Sequence, residues 1–106
     1  MRPTNATRTP GYVYMMSNKH RTVLYIGVTS DLRRRYEEHR DYVLLNSFTA
    51  GYYCEDLVYF ECFSDIQDAI ARETQLKKWS RKKKDFLVHQ MNPERKNLGE
   101  DLLVEA

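Results

Sequence analysis

Four side chains between residues 12 and 39 have the types and the spacing of groups that could act together on a phosphodiester. Tyr14 and Tyr25 stand eleven residues apart. Arg35 follows Tyr25 by ten residues, and His39 follows Arg35 by four. Two phenols, a guanidinium and an imidazole can move protons and stabilise a developing negative charge. They are therefore groups suited to cutting a phosphodiester bond, provided that the fold brings them together.

The three consecutive arginines after Leu32 face different directions if their segment is helical. At about 100° per residue, Arg35 and His39 lie on the side that carries the apolar anchors of the helix. Arg33 and Arg34 point away from that side, toward water or a ligand. Because a guanidinium turned inward needs acceptors, Arg35 is either a catalytic group or a structural ion-pair partner, for example of an acidic residue on another helix.

A single carboxylate stands in the apolar stripe of a second predicted helix. Around that helix, Glu73 lies between Leu76 and Ile70, close to the direction of Ile66. A carboxylate buried among apolar residues usually has a base or a metal ion as its partner. Glu73 is thus a candidate metal ligand, and a structural pair with Arg35 or with a tyrosine explains its position equally well.

The elements that must position these groups are strands and helices of one α+β domain. The predicted strands, rich in β-branched and aromatic residues, cover residues 11–17, 22–28 and 57–63. The predicted helices, of which the first two begin at polar capping residues, cover residues 31–44, 65–80 and 81–91. We expect a three-stranded, mainly antiparallel sheet flanked by these three helices. Gly27 in the second strand would let a ligand or another backbone approach closely.

Length and composition favour one small intracellular domain. The 106 residues are 42% hydrophobic and 30% charged, which suffices for one modest core and leaves no room for two domains. No stretch approaches the ~18 consecutive apolar residues of a membrane span, and the polar N-terminus does not resemble a secretory signal. Cys54 and Cys62 lack zinc-site spacing, so we expect reduced thiols in a cytoplasmic monomer. We expect a disordered tail over residues 1–9, the domain over 10–98 and a C-terminal tail over 99–106.

The charge is unevenly distributed, although the net charge is only +2. Residues 1–40 carry +5, residues 41–71 carry −6 and residues 72–96 carry +6. The run from Lys77 to Lys84 holds six positive charges in eight residues, which repel one another unless an anion lies nearby. We therefore favour phosphate-backbone binding by both basic blocks over a merely solvated surface. The candidate contacts are Arg33, Arg34, Lys77, Lys78, Arg81, Lys82 and Lys83.

The two predicted strands of the hairpin resemble the sequence elements that define the GIY-YIG nuclease family. Val13-Tyr14 matches the last two letters of the first element, and Tyr25-Ile26-Gly27 is similar to the second element at all three letters. Tyr12 stands where the first element has its glycine, a replacement that the similar subgroup tolerates. The resemblance covers roughly residues 11–98.

The helices carry the same resemblance. Arg35 and His39 match the family's helix positions, and Glu73 matches its metal-binding glutamate. The phrases YIGVTSDLRRR, LVYFE and LKKWSRKKK are similar to those of small, single-domain bacterial members, the URI-domain-like proteins without an attached DNA-binding module. One departure is Gly51, which precedes Tyr52 where that subgroup usually has a base. Asn92 resembles the subgroup's C-terminal asparagine.

The resemblance implies a metal-dependent endonuclease acting on nucleic acid, DNA more readily than RNA, with little sequence specificity. Glu73 would hold one Mg²⁺ or Mn²⁺, whose other ligands are waters and a phosphate oxygen. Tyr25 would take a proton from the attacking water, assisted by Tyr14. Arg35 would favour the ionised phenol and stabilise the transition state. His39 would receive or pass on a proton.

Two other interpretations stay open. A protein with this fold can hold nucleic acid without cutting it, or it can obtain its specificity from a protein partner. The five matched positions argue against a loss of catalysis. Because the similar subgroup has no attached recognition domain, a protein partner that supplies specificity stays a possible alternative. A role in DNA repair or recombination would suit an endonuclease. A phosphoryl transferase that uses nucleotides is disfavoured, because the sequence lacks a GxxxxGK[ST] motif.

Overall fold

Three strands and four helices make up the regular structure of the described residues. The structure, a computed structural model, describes residues 8–41 and 53–103. Its elements are β1 (Gly11–Ser17), β2 (Leu24–Thr29), α1 (Leu32–Arg40), β3 (Asp56–Phe63), α2 (Ile66–Lys77), α3 (Arg81–Met91) and α4 (Gly99–Leu103). The strands form one antiparallel sheet in the order β2-β1-β3. The predicted α+β class is confirmed, with one additional short helix at the C-terminal end.

Alternating side chains of the central strand β1 divide the interior into two cores. Val13 and Met15 contribute to a core that includes buried residues of α2 and α3. Tyr14 and Met16, which point to the other face of the sheet, contribute to a core with Leu32 and other residues of α1. The two-residue period of a strand therefore places the Tyr14 hydroxyl on the side of the sheet where α1 packs.

A polar loop closes the β1–β2 hairpin. The Asn18 side-chain oxygen accepts hydrogen bonds from the backbone N–H groups of Thr22 (2.9 Å) and Val23 (3.1 Å). Those two amides therefore bond within the loop, and β2 begins at Leu24 rather than at residue 22 as predicted. The resulting register pairs Tyr14 with Gly27 across the two strands.

Polar capping residues set the starts of the three longer helices. Asp31, Asp65 and Ser80 accept hydrogen bonds from the first-turn N–H groups of α1, α2 and α3, respectively. Because Ser80 caps α3, α2 ends at Lys77 instead of continuing to residue 80. The part of α1 predicted over residues 42–44 lies outside the described residues, as do Gly51 and Tyr52.

The segment after α3 returns to the sheet and ends in α4. Leu98 donates its backbone N–H to the Leu57 carbonyl at 2.7 Å, which attaches the segment to β3. The side chains of Leu98, Leu102 and Leu103 pack against the core on the α1 side. Residues 99–103, expected to belong to a tail, thus form a helix because their leucines find an apolar surface.

None of the helices in the described part of the chain combines the length and the apolar character required to cross a membrane.

Candidate active site

Tyr14, Tyr25 and His39 form a group of three aromatic rings, called here the ring cluster. The ring centroids of Tyr14 and Tyr25 lie 6.3 Å apart, and those of Tyr14 and His39 lie 5.6 Å apart in an edge-to-face arrangement. The Tyr25 and His39 centroids are separated by 5.4 Å. Side chains from β1, β2 and α1 therefore meet at one place, although eleven and fourteen residues separate them along the chain.

Gly27 makes room for the ring cluster. A Cβ atom added to Gly27 would lie 2.5 Å from the Tyr14 hydroxyl oxygen and 2.6 Å from the ring carbon that bears it. The Tyr14 side chain thus crosses directly over the Gly27 backbone. We expected a ligand or another backbone to use this space, and the structure fills it with a tyrosine side chain. Any larger residue at position 27 would displace the Tyr14 hydroxyl.

The Tyr14 hydroxyl is buried among polar partners. Tyr14 is 1% exposed, and its hydroxyl oxygen lies 3.2 Å from Nε2 of His39. Burial raises the pKa of Tyr14 to about 12; a hydrogen bond from Arg35 opposes the rise, whereas the charges of Tyr25 and Glu73 add to it. Tyr14 therefore keeps its proton at neutral pH and is available as a hydrogen-bond donor.

His39 is neutral for a similar reason. It is 3% exposed, and burial, together with the nearby positive charge of Arg35, lowers its pKa to about 4. The negative charge of Glu38 only partly opposes this shift. Within the described residues Nδ1 has no hydrogen-bond partner. A neutral imidazole with Nε2 near a phenol can accept or donate one proton, according to its tautomer.

Arg35 links the ring cluster to an acidic neighbour. Its guanidinium lies close enough to the Tyr14 hydroxyl to counteract the rise in the pKa of Tyr14, and it forms an ion pair with Glu38, whose Oε1 lies 3.1 Å from Nε. Glu73 instead pairs with Lys77. The structural alternative in which Arg35 pairs with Glu73 is therefore not realised among the described ion pairs. The faces predicted for α1 agree with the structure, since Arg35 and His39 turn inward.

Glu38 belongs to the site, although the sequence analysis did not select it. Besides Arg35, it approaches Nε of Arg34 at 3.4 Å. These three side chains line a cleft of about 250 Å³ that opens beside the first turn of α1. A phosphate that binds Arg35 must compete with Glu38 for the guanidinium. Glu38 follows Arg35 by three residues and Arg34 by four, and this helical spacing could have predicted both pairs.

Glu73, the predicted metal ligand, pairs with a lysine of its own helix. Its side chain is 17% exposed and its Oε2 lies 3.1 Å from the Lys77 ammonium. Its charge reaches the Tyr14 hydroxyl, whose pKa it raises. The described residues contain no group of three or more His, Cys, Asp or Glu side chains suited to a metal ion. One carboxylate fits Mg²⁺, which retains several waters and uses few protein ligands.

The basic candidates are largely exposed, and several of them also contact other side chains. Arg33, Arg34, Lys78 and Lys82 are exposed. Lys83 lies over the Trp79 ring, with its ammonium 4.9 Å from the ring centroid.

Arg81 is occupied by the protein itself. Its guanidinium donates to the backbone carbonyls of Thr22 (2.9 Å) and Arg21 (3.0 Å) and to Asp85 (3.0 Å). This arginine therefore fastens α3 to the hairpin loop, which favours a structural role over a phosphate contact.

Two asparagines near the C-terminal end connect the segment after α3 to β3 and to α1. Asn92 is buried, and its amide donates to the carbonyls of Val58 (3.1 Å) and Lys96 (2.7 Å), which gives it a structural position. Asn97 donates to the Tyr36 hydroxyl at 2.9 Å and accepts from the Leu57 N–H at 2.9 Å. Asn97 thereby ties α1, which carries Arg35 and His39, to β3. The sequence analysis did not identify Asn97, because its partners are distant along the chain.

Comparison with known proteins agrees with this architecture. A family model described as the GIY-YIG catalytic domain matches residues 10–85. A UPF0213 protein of Bacillus pumilus is 35% identical over 77 residues, which cover 68% of this chain and 72% of the relative. A UPF0213 protein of Haloquadratum walsbyi is 35% identical over 79 residues, 74% of this chain and 86% of the relative. A UPF0213 protein of Syntrophus aciditrophicus is 34% identical over 84 residues, with coverages of 79% and 94%. No solved structure gives a significant match to the chain.

Proposed function

The chain belongs to the GIY-YIG family, and from this premise we propose that it is a metal-dependent endonuclease that hydrolyses phosphodiester bonds in DNA. The observation that carries the proposal is the ring cluster with Arg35 beside Tyr14. It combines two phenols, a neutral imidazole and a guanidinium beside a cleft. These groups supply proton transfer and stabilisation of negative charge, the two demands of phosphodiester hydrolysis.

The two tyrosines have different exposure and therefore different proposed roles. Tyr14 is buried with a raised pKa, so it keeps its proton and orients its neighbours by hydrogen bonding. Tyr25 is only partly buried, and we assign it the contact with the attacking water. Tyr25 takes the proton of that water while it gives its own phenolic proton to neutral His39, and Tyr14 assists as a donor within the ring cluster. His39 then passes the proton on to the leaving oxygen of the cleaved bond.

Arg35 is the proposed phosphate ligand of the protein. Its guanidinium offers five N–H donors, of which Tyr14 and Glu38 use only some. A phosphate in the cleft can displace the Glu38 carboxylate or share the guanidinium with it.

Glu73 is the proposed ligand of one Mg²⁺ or Mn²⁺. When bound, the ion would polarise the phosphate and neutralise part of its charge. Binding requires Lys77 to release the Glu73 carboxylate, and this is easy because the Lys77 side chain is largely exposed. Arg33, Arg34, Lys77, Lys78 and Lys82 would then contact backbone phosphates on either side of the cleft.

The test is cleavage of labelled nucleic acid by the purified protein. Single-stranded, duplex and branched DNA, and the matching RNAs, are incubated with Mg²⁺, Mn²⁺ or EDTA. We expect metal-dependent internal cuts in DNA, which EDTA abolishes and Tyr25→Phe prevents. Binding of DNA without cleavage under every metal condition would overturn the proposal and would favour a binding module or a subunit that requires a partner.

A further inference from the structure

A shallow groove along α3 combines aromatic rings with lysines at a distance from the ring cluster in the fold. Its volume is about 470 Å³, and none of its lining side chains is acidic. The lining residues are Trp79, Lys82, Lys83, Phe86, Leu87 and Gln90. Phe86 is 63% exposed, which is unusual for a large apolar side chain in a small domain. We call this surface the Trp79–Phe86 groove.

Helical spacing arranges the groove as two parallel rows of side chains. Residues 82, 86 and 90 form one row along α3, and residues 83 and 87 form the other. Trp79 precedes the helix, and its ring lies under the Lys83 ammonium. One lysine therefore accompanies each of the two aromatic rings. An aromatic face and an ammonium group therefore lie side by side twice along the same surface.

Trp79 is already held in place by cations, whereas Phe86 presents an uncovered ring. The Arg72 guanidinium carbon lies 5.2 Å from the Trp79 ring centroid, and the Lys83 ammonium lies 4.9 Å from it. Arg72 is itself fixed by two hydrogen bonds to Glu61, at 2.9 and 3.0 Å. Among the described residues, neither a second ring nor a cation covers Phe86.

The chemistry of the groove defines its ligand. A partner must be flat and apolar to cover Phe86, and anionic to neutralise Lys82 and Lys83, for which the described residues provide no ion-pair partner. A nucleotide with an accessible base meets both requirements, because bases stack on aromatic side chains while phosphates bind ammonium groups. A base inside a duplex is paired and stacked, so its face is not available.

We propose that the Trp79–Phe86 groove binds an unpaired base of single-stranded nucleic acid, which stacks on Phe86 while Lys82 and Lys83 hold the flanking phosphates. The inference rests on the proposed nuclease function and specifies its substrate as DNA with a single-stranded stretch. The groove adjoins the proposed metal ligand along the chain, because Arg72, which covers Trp79, directly precedes Glu73.

The experiment measures binding in EDTA, where no cleavage occurs. Trp79 is the one tryptophan of the chain, so its fluorescence reports on the groove directly. Wild-type protein and variants are titrated with a short oligothymidylate and with a blunt-ended duplex hairpin. We expect the oligothymidylate to quench the emission of Trp79, and Phe86→Ala to weaken its binding by about five- to a hundredfold. Duplex affinity should change less than twofold.

Two variants make the result specific to stacking. Phe86→Tyr keeps an aromatic face and should retain single-strand affinity. Met91→Ala removes another exposed apolar side chain of α3, 44% exposed and outside the groove, and should leave both affinities unchanged. Circular dichroism of each variant verifies that the helices are intact.

Three outcomes would overturn the inference. An equal loss of duplex and single-strand affinity in Phe86→Ala would mean that the ring is a general contact. Unchanged affinity would mean that bases do not stack there. A wild-type dimer that Phe86→Ala converts into a monomer would assign the groove to self-association. Failure of the nuclease proposal is distinguishable from these outcomes, because it would appear as single-strand binding that depends on Phe86 without any cleavage when metal is added.

Discussion

The ring cluster and the Trp79–Phe86 groove differ in how their side chains are held. In the ring cluster the three rings pack against one another, and Tyr14 is in contact with His39, Arg35 and the backbone of Gly27. In the groove, by contrast, most of the side chains lie along the exposed side of α3, and Phe86 contacts neither another ring nor a cation among the described residues. Changes in the cluster should therefore be strongly coupled, whereas changes in the groove should be nearly additive.

The difference also separates the two contributions to turnover. Buried neutral groups and a guanidinium can perform chemistry but offer little surface for holding a long polymer. Exposed lysines and an aromatic ring can hold a polymer but cannot activate water. Substitutions in one region should thus change the rate of cleavage, and substitutions in the other should change affinity.

Replacement of Glu73 should have the largest effect, and it tests whether cleavage at the ring cluster depends on a metal. Glu73→Ala should reduce metal-dependent cleavage to background, because it removes the one proposed protein ligand. The free energy of unfolding should be unchanged or higher, since the lost pair with Lys77 is a partly exposed ion pair of small value. Cleavage gels with increasing Mn²⁺ and urea unfolding measure the two effects. An unfolded Glu73→Ala protein, with no metal binding by the wild type, would show that Glu73 is structural.

Tyr25→Phe should have the next largest effect and isolates the hydroxyl from the ring. Loss of a general base typically lowers the rate by about 10²- to 10⁴-fold, while the retained ring preserves packing. Single-turnover cleavage measures the rate, and fluorescence titration in EDTA should give an affinity within twofold of the wild type. Tyr14→Phe serves as the matched control, because a donor that only assists should cost less. Full activity of folded Tyr25→Phe would exclude it as the base.

The buried state of His39 predicts a loss of stability in acid. Its pKa is lowered to about 4 in the folded protein, against about 6.5 in an unfolded chain. The unfolded state therefore takes up the proton first, so stability falls as the pH drops from about 6.5 to about 4 and is fully retained above this range. The expected contribution is about 3 kcal/mol. Urea unfolding at several pH values measures it, and His39→Gln should remove this part of the pH dependence. An identical pH profile in His39→Gln would show that the imidazole is not buried in its neutral form.

Asn97→Ala tests whether the ring cluster depends on the hydrogen bonds that connect α1 to β3. The substitution removes hydrogen bonds to Tyr36, Leu57 and Gly99 and leaves buried polar groups unpaired, which should cost about 1–3 kcal/mol. Because α1 carries Arg35, the cleavage rate should fall while binding to DNA in EDTA stays constant. Asn97→Asp retains the acceptor and should recover part of the stability. An equal loss of DNA affinity and cleavage rate would show that Asn97 does not act specifically on the ring cluster.

The smallest effect per residue is expected on the basic surface. Four to six phosphate contacts give a slope of about −3 to −5 in log affinity against log salt, because each contact contributes roughly −0.7 to −0.9. The double substitution Lys82→Ala/Lys83→Ala should flatten this slope by up to ~2. Lys96→Ala is the matched control, since this exposed lysine pairs with Glu94 away from α3. Salt titrations in EDTA provide the measurement, and a slope unaffected by the double substitution would mean a solvated surface only.

Local signals in the sequence were sufficient to predict most of the boundaries of the helices and strands. Helix starts at Asp31, Asp65 and Ser80 depend on hydrogen bonds within one helical turn, so each one could be read from neighbouring residues. The start of β2 could not, because it depends on how Asn18 folds the hairpin loop. The helix α4 was also missed, since five residues become helical here only through contact with a distant apolar surface.

The candidate site shows the same division. Helical and strand periodicity indicated that Arg35 and His39 turn inward and that Tyr14 and Gly27 lie on strands. The same patterns did not reveal Glu38 as the partner of Arg35. They also did not distinguish a solvent contact from a bond to backbone carbonyls for Arg81. These pairings are selected by distance in space, which spacing along the chain leaves open.

The sequence by itself determined which chemical groups are present and on which face of each strand or helix they lie. Only the tertiary structure decided how two identical groups differ. Tyr14 and Tyr25 are both strand tyrosines, yet Tyr14 is almost fully buried, and this burial raises its pKa to about 12. The same burial holds His39 neutral. Desolvation depends on the atoms that cover a group, and those atoms come from elements that meet only when the chain is folded.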